Sequence, residues 1–250
     1  MDRIHIFIPV YYREATVRKS LEAVLATYKS VGYDVRIILV DNKSNDSLRK
    51  HLKSLEAKHH DVITKLLDRN MGKGPAINWA AEQHPKFQWF INCDSDIVPT
   101  TKGWPGILAE CYSQIPAAGM VSVEYELNGN NPMPNQPQQM VVKANDGEHT
   151  FNWGGQVAGG CFITEASVWK SIRYRCSGVY GGVDGVFRQN VAQSLNRKCG
   201  FVSGVMAQHL DDRTDNKGYH EWKMEVQRKI RAKSPLADAA DLGNDKGYWD

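Results

Sequence analysis

Short β-rich runs alternate with helical patterns through the first half of this chain, and this alternation constrains the fold more than any other feature. Four runs are predicted to be strands: IHIFIPV at residues 4–10, VRIILVD at 35–41, VITKLLD at 62–68 and FQWFINC at 87–93. The intervals between them have helical spacing, and the third is an Ala-rich helix with Pro75 in its first turn. This repetition predicts parallel strands joined by right-handed crossovers. We therefore expect an α/β sheet covered by helices on both faces.

The second half of the chain contains similar elements in a less regular order. Further strands are predicted at 119–125, 140–144 and 200–210, with strand-like pieces in 149–164. Further helices are predicted at 103–115, 165–172, 184–197 and 219–233. Residues 126–139 are dense in Asn, Pro and Gln without periodicity, which indicates a mobile excursion or lid, or else a plain surface loop.

Composition limits the class of protein. The 250 residues, 42% of them hydrophobic, can bury a real core, and a net charge of +3 does not by itself indicate a nucleic-acid or membrane partner. Five widely spaced cysteines without a C-x-x-C pair favour a reducing compartment over a disulfide framework or a zinc knuckle. No apolar run approaches the length of a membrane span. We expect a soluble, cytoplasmic protein, with peripheral membrane attachment left open.

Acidic residues follow three of the four predicted strands. Asp41 ends the second strand, Asp68 ends the third, and Asp94 and Asp96 follow the fourth. In α/β sheets, ligands gather at the carboxyl ends of the strands. Such an acidic edge suits a nucleotide diphosphate that is accompanied by a divalent cation.

The pair Asp94 and Asp96 is a candidate metal site. Residues two apart in an extended segment project the same way, and oxygen ligands favour Mg²⁺ or Mn²⁺. His209 ends a later predicted strand and would shift the preference toward Mn²⁺. The alternatives are a solvated Asp-Ser-Asp turn and a histidine without a ligand role.

Asp184 is a candidate general base. It follows two glycines at the start of a helical pattern, where the helix dipole favours a carboxylate and the glycines allow a substrate to approach. A carboxylate in this position can take a proton from an acceptor hydroxyl. Helix capping requires the same residue at the same place, and the segment alone does not separate the two roles.

Several segments taken in order resemble one family. They are IPVYYREATVRKSLEAVL, IILVDNKSNDS, DRNMGKGPAINWA, FINCDSD, GGCFITEASVWKSI, GGVDGVF and HL, which cover most of residues 4–210. Together they resemble the family-2 glycosyltransferases of GT-A fold. The resemblance implies a mixed, mostly parallel Rossmann-like sheet with a smaller acceptor-side region. It also implies sugar transfer from a nucleotide diphosphate sugar, with UDP favoured, usually with inversion and a divalent metal.

The resemblance also implies roles for individual residues. Donor contacts are expected at Pro9, Tyr11, Asp41 (the uracil contact), Asn70, Lys73 and Asp94 (beside the ribose and the metal). The metal is expected at Asp96 as direct ligand, with Asp94 and His209 beside it, and the general base is Asp184. Sugar contacts are expected at Trp153, Gly159 and Gly160. The chain departs from the family pattern at Tyr12, where Asn is usual, and at Val183, where an acid is usual.

We expect a transferase domain at residues 1–215 and a basic helical tail at 216–250. The domain divides into a nucleotide-binding half at 1–104 and an acceptor-binding half at 105–215. The tail could lie on anionic lipid, follow a phosphate backbone, or be a solvated helix face. The acceptor is therefore a glycan, a lipid-linked saccharide, or hydroxymethylated DNA of the kind that phages modify. A nucleotidyltransferase and a non-catalytic sugar-nucleotide binding module remain alternatives.

Overall fold

A computed structural model describes residues 1–126, 138–154, 157, 159–174, 183–210, 221, 224 and 225. The strands are β1 (Asp2–Val10), β2 (Tyr33–Asp41), β3 (Val62–Leu66), β4 (Trp89–Cys93), β5 (Ile97–Pro99), β6 (Ala118–Tyr125), β7 (Gln138–Ala144), β8 (Gly147–Trp153), β9 (Cys161–Glu165) and β10 (Lys198–His209). The helices are α1 (Glu14–Thr27), α2 (Asp46–Lys58), α3 (Lys73–Gln83), α4 (Trp104–Gln114), α5 (Ala166–Ile172) and α6 (Val183–Ser194).

All of these strands belong to one sheet, in the order β3-β2-β1-β4-β9-β6-β10-β8-β7, with β5 paired to β10. The first four strands of the chain are mutually parallel, as predicted. β9 runs antiparallel to β4 and β6, β10 runs parallel to β6, and the β7–β8 hairpin joins the sheet through β10. The sheet is therefore mixed and mostly parallel, which confirms the expected fold class.

Helices cover both faces of the sheet, as the alternation predicted. One face packs under α1, α2 and α4, and the other under α3, α5 and α6. Successive residues of β1 alternate between these layers, with Ile6 and Ile8 on the first face and Phe7 on the second. Each large apolar side chain that is fully buried in this way contributes about 1.5–3 kcal/mol to folding.

Local signals explain where the helices begin. The side chain of Asn45 accepts a hydrogen bond from the Leu48 amide at 2.9 Å, which caps α2. α3 begins at Lys73 after Gly72, whose φ of 81° suits glycine, and Pro75 lies in its first turn. Six residues, 67–72, separate the carboxyl end of β3 from the start of α3.

Strand β5 was not predicted, because three residues carry no readable periodicity. It pairs antiparallel with the end of β10, so that Ile97 lies opposite His209. Apart from residues 221, 224 and 225, the tail at 216–250 and the predicted helix at 219–233 lie outside the described residues, as does most of the segment at 126–139. The division of the chain at residues 104 and 215 stays a prediction. Across the part of the chain that is described, none of the helices combines the length and apolar character needed to cross a membrane.

Candidate active site

Lys73 joins two carboxylates at the edge of the sheet where β4 ends. Its Nζ lies 2.7 Å from Oδ1 of Asp94 and 2.7 Å from Oδ2 of Asp184. The hydroxyl of Tyr174 also donates to Asp184, at 3.3 Å. Two residues predicted separately as a donor contact and a general base are thus held on one cation.

Burial and charge act in opposite directions on this bridge. Burial alone would lower the pKa of Lys73, but the carboxylates of Asp184 and Asp94 outweigh it and raise the pKa above its usual value. Burial raises the pKa of Asp94, although the Lys73 ammonium opposes that shift. The bridge is therefore built around a charged Lys73.

Two glycines bring the backbone close to these carboxylates. A Cβ on Gly159 would collide with the side chain of Asp184, and one on Gly160 would lie 2.6 Å from the hydroxyl of Tyr125. The Asn92 amide donates to the carbonyls of both glycines at 3.2 Å and to Oδ1 of Asp94 at 3.1 Å. Gly159 and Gly160 thus lie beside the carboxylates, and their contact with a sugar stays a prediction.

Asp96 lies beside two basic side chains. Nη1 of Arg13 donates to its Oδ2 at 3.0 Å, and Nε2 of His209 lies 3.7 Å from the same oxygen. The His209 ring stacks on Tyr125 with centroids 5.6 Å apart. Burial opposes ionisation, but the Arg13 guanidinium and the His209 imidazole hold the pKa of Asp96 well below its usual range. We call Asp94, Asp96 and Asp184 the acidic cluster.

Sequence reasoning missed Arg13 and Tyr125. Tyr12 and Arg13 are both in the left-handed region, with φ of 48° and 52°. Residues other than glycine held in this region cost about 1–3 kcal/mol each and are often found at functional sites. Since no short motif predicts such a conformation, the buried guanidinium could not be read from the sequence.

The predicted uracil contact, Asp41, lies at the end of β2 but is fully buried. Its carboxylate accepts from the Ser44 amide at 3.1 Å and pairs with Nε of Arg49 at 3.2 Å. Burial raises the pKa of Asp41, and the bonds to Ser44 and the charge of Arg49 oppose the shift. The carboxylate is thus engaged within the protein, and its contact with a base stays a prediction.

The other predicted nucleotide contacts lie on neighbouring strand ends. Pro9 is next to the last residue of β1, and the ring of Tyr11 packs edge-on against Tyr12 with centroids 4.8 Å apart. Asn70 lies in the turn before α3 and accepts from the Gly72 amide at 2.9 Å. Their positions at the carboxyl ends of β1 and β3 fit a nucleotide site, and their roles stay predictions.

Trp153 does not lie with the acidic cluster. It pairs with Gly200 on β10, which in turn pairs with Val121 on β6, four residues before Tyr125. That offset corresponds to about 13 Å along the strand. The ring stacks on Phe151 and lies under the Lys198 ammonium. β8 runs away from the acidic cluster towards Trp153, and the contact of this residue with a sugar stays a prediction.

The side chains around Asp96 fit a divalent metal in their chemistry. Oδ1 of Asp96 is buried, and no described residue donates a hydrogen bond to it. His209 offers a nitrogen ligand 3.7 Å from the other oxygen, Oδ2, whereas Lys73 and Asn92 already engage Asp94. Over the described ranges, no three acidic, His or Cys side chains already surround a common point. A metal would therefore be held by Asp96 and His209, with further ligands from the substrate or water.

Solved structures share this fold. The chain aligns with TarS residues 1–349 from S. aureus (TM-score 0.61, 16% identity, 95% of this chain and 66% of that one). It also aligns with the mannosyltransferase PcManGT from Pyrobaculum calidifontis in complex with GDP-Man and Mn²⁺ (TM-score 0.61, 14% identity, 92% of this chain and 64% of that one). A third match is GalNAc-T7 with UDP, GalNAc and Mn²⁺ (TM-score 0.63, 14% identity, 98% of this chain and 52% of that one). These alignments show that the chain has the GT-A fold.

The chain belongs to the glycosyl transferase family 2, whose sequence profile matches residues 5–172. It is similar to the undecaprenyl-phosphate 4-deoxy-4-formamido-L-arabinose transferase of Shewanella sediminis, with 25% identity over 62% of this chain and 46% of that protein. The transferase of the same name from Klebsiella pneumoniae is 28% identical over 48% of this chain and 37% of its own length. The chain spans less than half the length of these curated relatives.

Proposed function

We propose that this chain transfers a sugar from a nucleotide diphosphate sugar, with UDP favoured as the nucleotide, to an acceptor hydroxyl with inversion at the anomeric carbon. The observation that carries the proposal is the Lys73 bridge between Asp94 and Asp184, beside the Asp96–His209 pair. This bridge fixes Asp94, on the donor side, relative to Asp184, which can take a proton from the acceptor. Fixed placement of the two reactants is a large part of what such a site can contribute to the rate.

In the proposed reaction, Asp184 takes the proton of the acceptor hydroxyl. The acceptor oxygen forms a bond to the anomeric carbon while the bond between that carbon and the diphosphate oxygen breaks on the opposite face. The nucleotide diphosphate leaves with the electron pair. Because Lys73 contacts Asp184 in the free protein, substrate binding must free one oxygen of that carboxylate to accept the proton.

Positive charge at the donor side would stabilise the leaving diphosphate. Lys73 provides a fixed cation beside Asp94. A bound Mn²⁺ or Mg²⁺ would supply further positive charge to the diphosphate, held by Asp96 and His209. Two solved neighbours, the mannosyltransferase and GalNAc-T7, are complexes with Mn²⁺, which supports this cofactor.

Two observations bear on the acceptor. The names of the curated relatives include an undecaprenyl-phosphate acceptor, which supports a lipid-linked molecule at a membrane surface. A phosphate acceptor would already be anionic, whereas a general base such as Asp184 is needed for a hydroxyl. A lipid-linked saccharide combines a lipid carrier with a hydroxyl and is therefore the acceptor class that we favour. Hydroxymethylated DNA was inferred from the basic tail, which lies outside the described residues apart from three positions.

The test begins with binding. UDP, GDP, dTDP and their sugars are screened by thermal shift with and without Mn²⁺, since a ligand that binds only the folded state raises the unfolding temperature. The best donor is then labelled and offered to a lipid-linked saccharide, to undecaprenyl phosphate and to hydroxymethylcytosine DNA. We expect a UDP sugar to bind with Mn²⁺ and transfer to the saccharide.

Other outcomes identify the alternatives. A donor that binds but is neither transferred nor slowly hydrolysed would favour a non-catalytic binding module. Release of pyrophosphate from a nucleoside triphosphate would favour a nucleotidyltransferase. Transfer to DNA alone would reject the lipid-linked acceptor while keeping the transferase.

A further inference from the structure

Arg13 reaches Asp96 through an unusual turn between β1 and α1. Tyr12 and Arg13 are consecutive left-handed residues, and the Tyr12 amide donates to the hydroxyl of Ser44 at 2.9 Å. The Arg13 carbonyl accepts from the Val17 amide at 2.9 Å, which starts α1. The turn therefore directs the arginine side chain inward, where 8% of it is exposed.

The guanidinium ends on Oδ2 of Asp96, the residue expected to bind a metal directly. Nη1 lies 3.0 Å from this oxygen, and only 11% of the Asp96 side chain is exposed. His209 approaches the same oxygen at 3.7 Å. A pair of opposite charges this deeply buried loses most of its hydration, and replacing such a pair with apolar residues is often neutral for stability. Its presence at the site therefore suggests a role besides folding.

The acidic cluster is largely neutralised before any ligand arrives. Its three carboxylates, Asp94, Asp96 and Asp184, are contacted by two cations, Arg13 and Lys73. A lone divalent ion that approached Asp96 would meet the Arg13 guanidinium on the same carboxylate. A nucleotide diphosphate brings negative charge of its own, which offsets this repulsion for an ion that arrives with it.

We propose that Arg13 is a built-in counter-ion of Asp96 that makes metal binding depend on the nucleotide diphosphate. The free protein then binds Mn²⁺ weakly, and the ion enters the site together with UDP. Arg13 acts through Asp96 and is a positioning residue. The inference rests on the proposed function, because it assumes that Asp96 is a ligand in a nucleotide diphosphate site.

The test measures Mn²⁺ affinity from the electron paramagnetic resonance signal of the free ion, with and without UDP. Arg13→Met removes the buried charge and keeps an unbranched apolar chain. Arg18→Met is the matched control, because it removes the same charge from the exposed face of α1, where Arg18 pairs with Glu14 at 2.6 Å. Without UDP, we expect Arg13→Met to bind Mn²⁺ at least about tenfold more tightly than either the wild type or Arg18→Met does. UDP should tighten Mn²⁺ binding strongly in the wild type and much less in Arg13→Met.

A purely structural role for Arg13 would give a different pattern. It would weaken Mn²⁺ binding or leave it unchanged, and either result overturns the inference. Arg13→Lys retains a cation and should restore the dependence on UDP. If Arg13→Met fails to fold, Arg13→Gln keeps a hydrogen-bond donor without charge, and tighter Mn²⁺ binding is again expected. If the wild type binds UDP neither alone nor with Mn²⁺, the proposed function itself is rejected. If wild type and variant both bind UDP with Mn²⁺ but have the same affinity for Mn²⁺ alone, only the role of Arg13 is rejected.

Discussion

Two ion pairs give the carboxylates of the acidic cluster different surroundings. Asp96 is held by Arg13 and lies beside His209, whereas Asp184 is held by Lys73 and Tyr174. In the proposed reaction, Asp96 and His209 hold the metal and Asp184 receives the proton. At the scale of single residues, the proposed reaction therefore predicts separable effects for the two aspartates.

Asp184→Asn should reduce sugar transfer by about a hundredfold or more, since general-base catalysis contributes about 10²–10⁴-fold. Asp96→Asn should abolish transfer as well, because it removes charge from the site of the metal that would stabilise the leaving diphosphate. Only Asp96→Asn should also weaken Mn²⁺-dependent binding of UDP, because it removes charge from the expected ligand. Turnover is measured with the identified donor and acceptor, and binding by calorimetry. Circular dichroism checks that both variants are folded. Unchanged turnover in either variant would remove that residue from the mechanism.

At the scale of elements, the first turn of α6 packs against the glycine segment before β9. Gly159 leaves the space that Asp184 occupies, so a side chain there must displace the carboxylate. Gly185, the next residue of α6, has open space around its Cβ position. The two glycines thus differ in whether the position of the predicted base depends on them.

Gly159→Ala should lower transfer by about tenfold or more and cost about 1–3 kcal/mol of unfolding free energy, as overpacking does. Gly185→Ala should leave transfer unchanged and raise the unfolding free energy by about 0.5–1 kcal/mol, because alanine favours a helix over glycine. Kinetics and urea unfolding on both variants provide the comparison. Equal activity in the two would show that Gly159 does not position Asp184.

The elements differ in how far local sequence predicts them. β1 to β4 and α1 to α3 follow from periodicity, from the Asn45 cap and from Pro75, because all of these signals lie within a few neighbouring residues. The sequence also indicates Asp94, Asp96 and His209 as candidate site residues, although β5, whose pairing with β10 brings Ile97 opposite His209, was not predicted. The bridge from Lys73 to Asp184 spans 111 positions and the bond from Arg13 to Asp96 spans 83. Pairings across such distances depend on tertiary packing, so a single sequence did not reveal them.

At the scale of the whole molecule, one buried histidine links stability to pH. His5 lies in β1, and its ring packs against Phe87 with centroids 5.2 Å apart. Burial, together with the nearby His84 and Arg3, lowers the pKa of His5 from 6.5 to about 4. The folded protein therefore disfavours the charged form relative to the unfolded chain.

The stability that the neutral His5 ring allows should be fully present above pH 6.5. The unfolding free energy should then decline as the pH falls from 6.5 to 4. The loss across this window should be about 3 kcal/mol of unfolding free energy. His5→Gln cannot ionise, so the difference between its unfolding free energy and that of the wild type should change with pH in this window. Urea unfolding of both proteins between pH 7 and 4 measures it. Parallel curves would contradict the assignment.

Strand β10 enters the sheet between β6 and β8 although it is the last strand of the described chain. The β7–β8 hairpin is joined to the sheet through β10, and His209 ends the same strand. During synthesis, the hairpin therefore cannot pair with the sheet until β10 has left the ribosome. A fragment that stops before residue 198 would expose an unpaired hairpin edge and lack one expected metal ligand, so aggregation and loss of Mn²⁺-dependent binding should appear at the same truncation point.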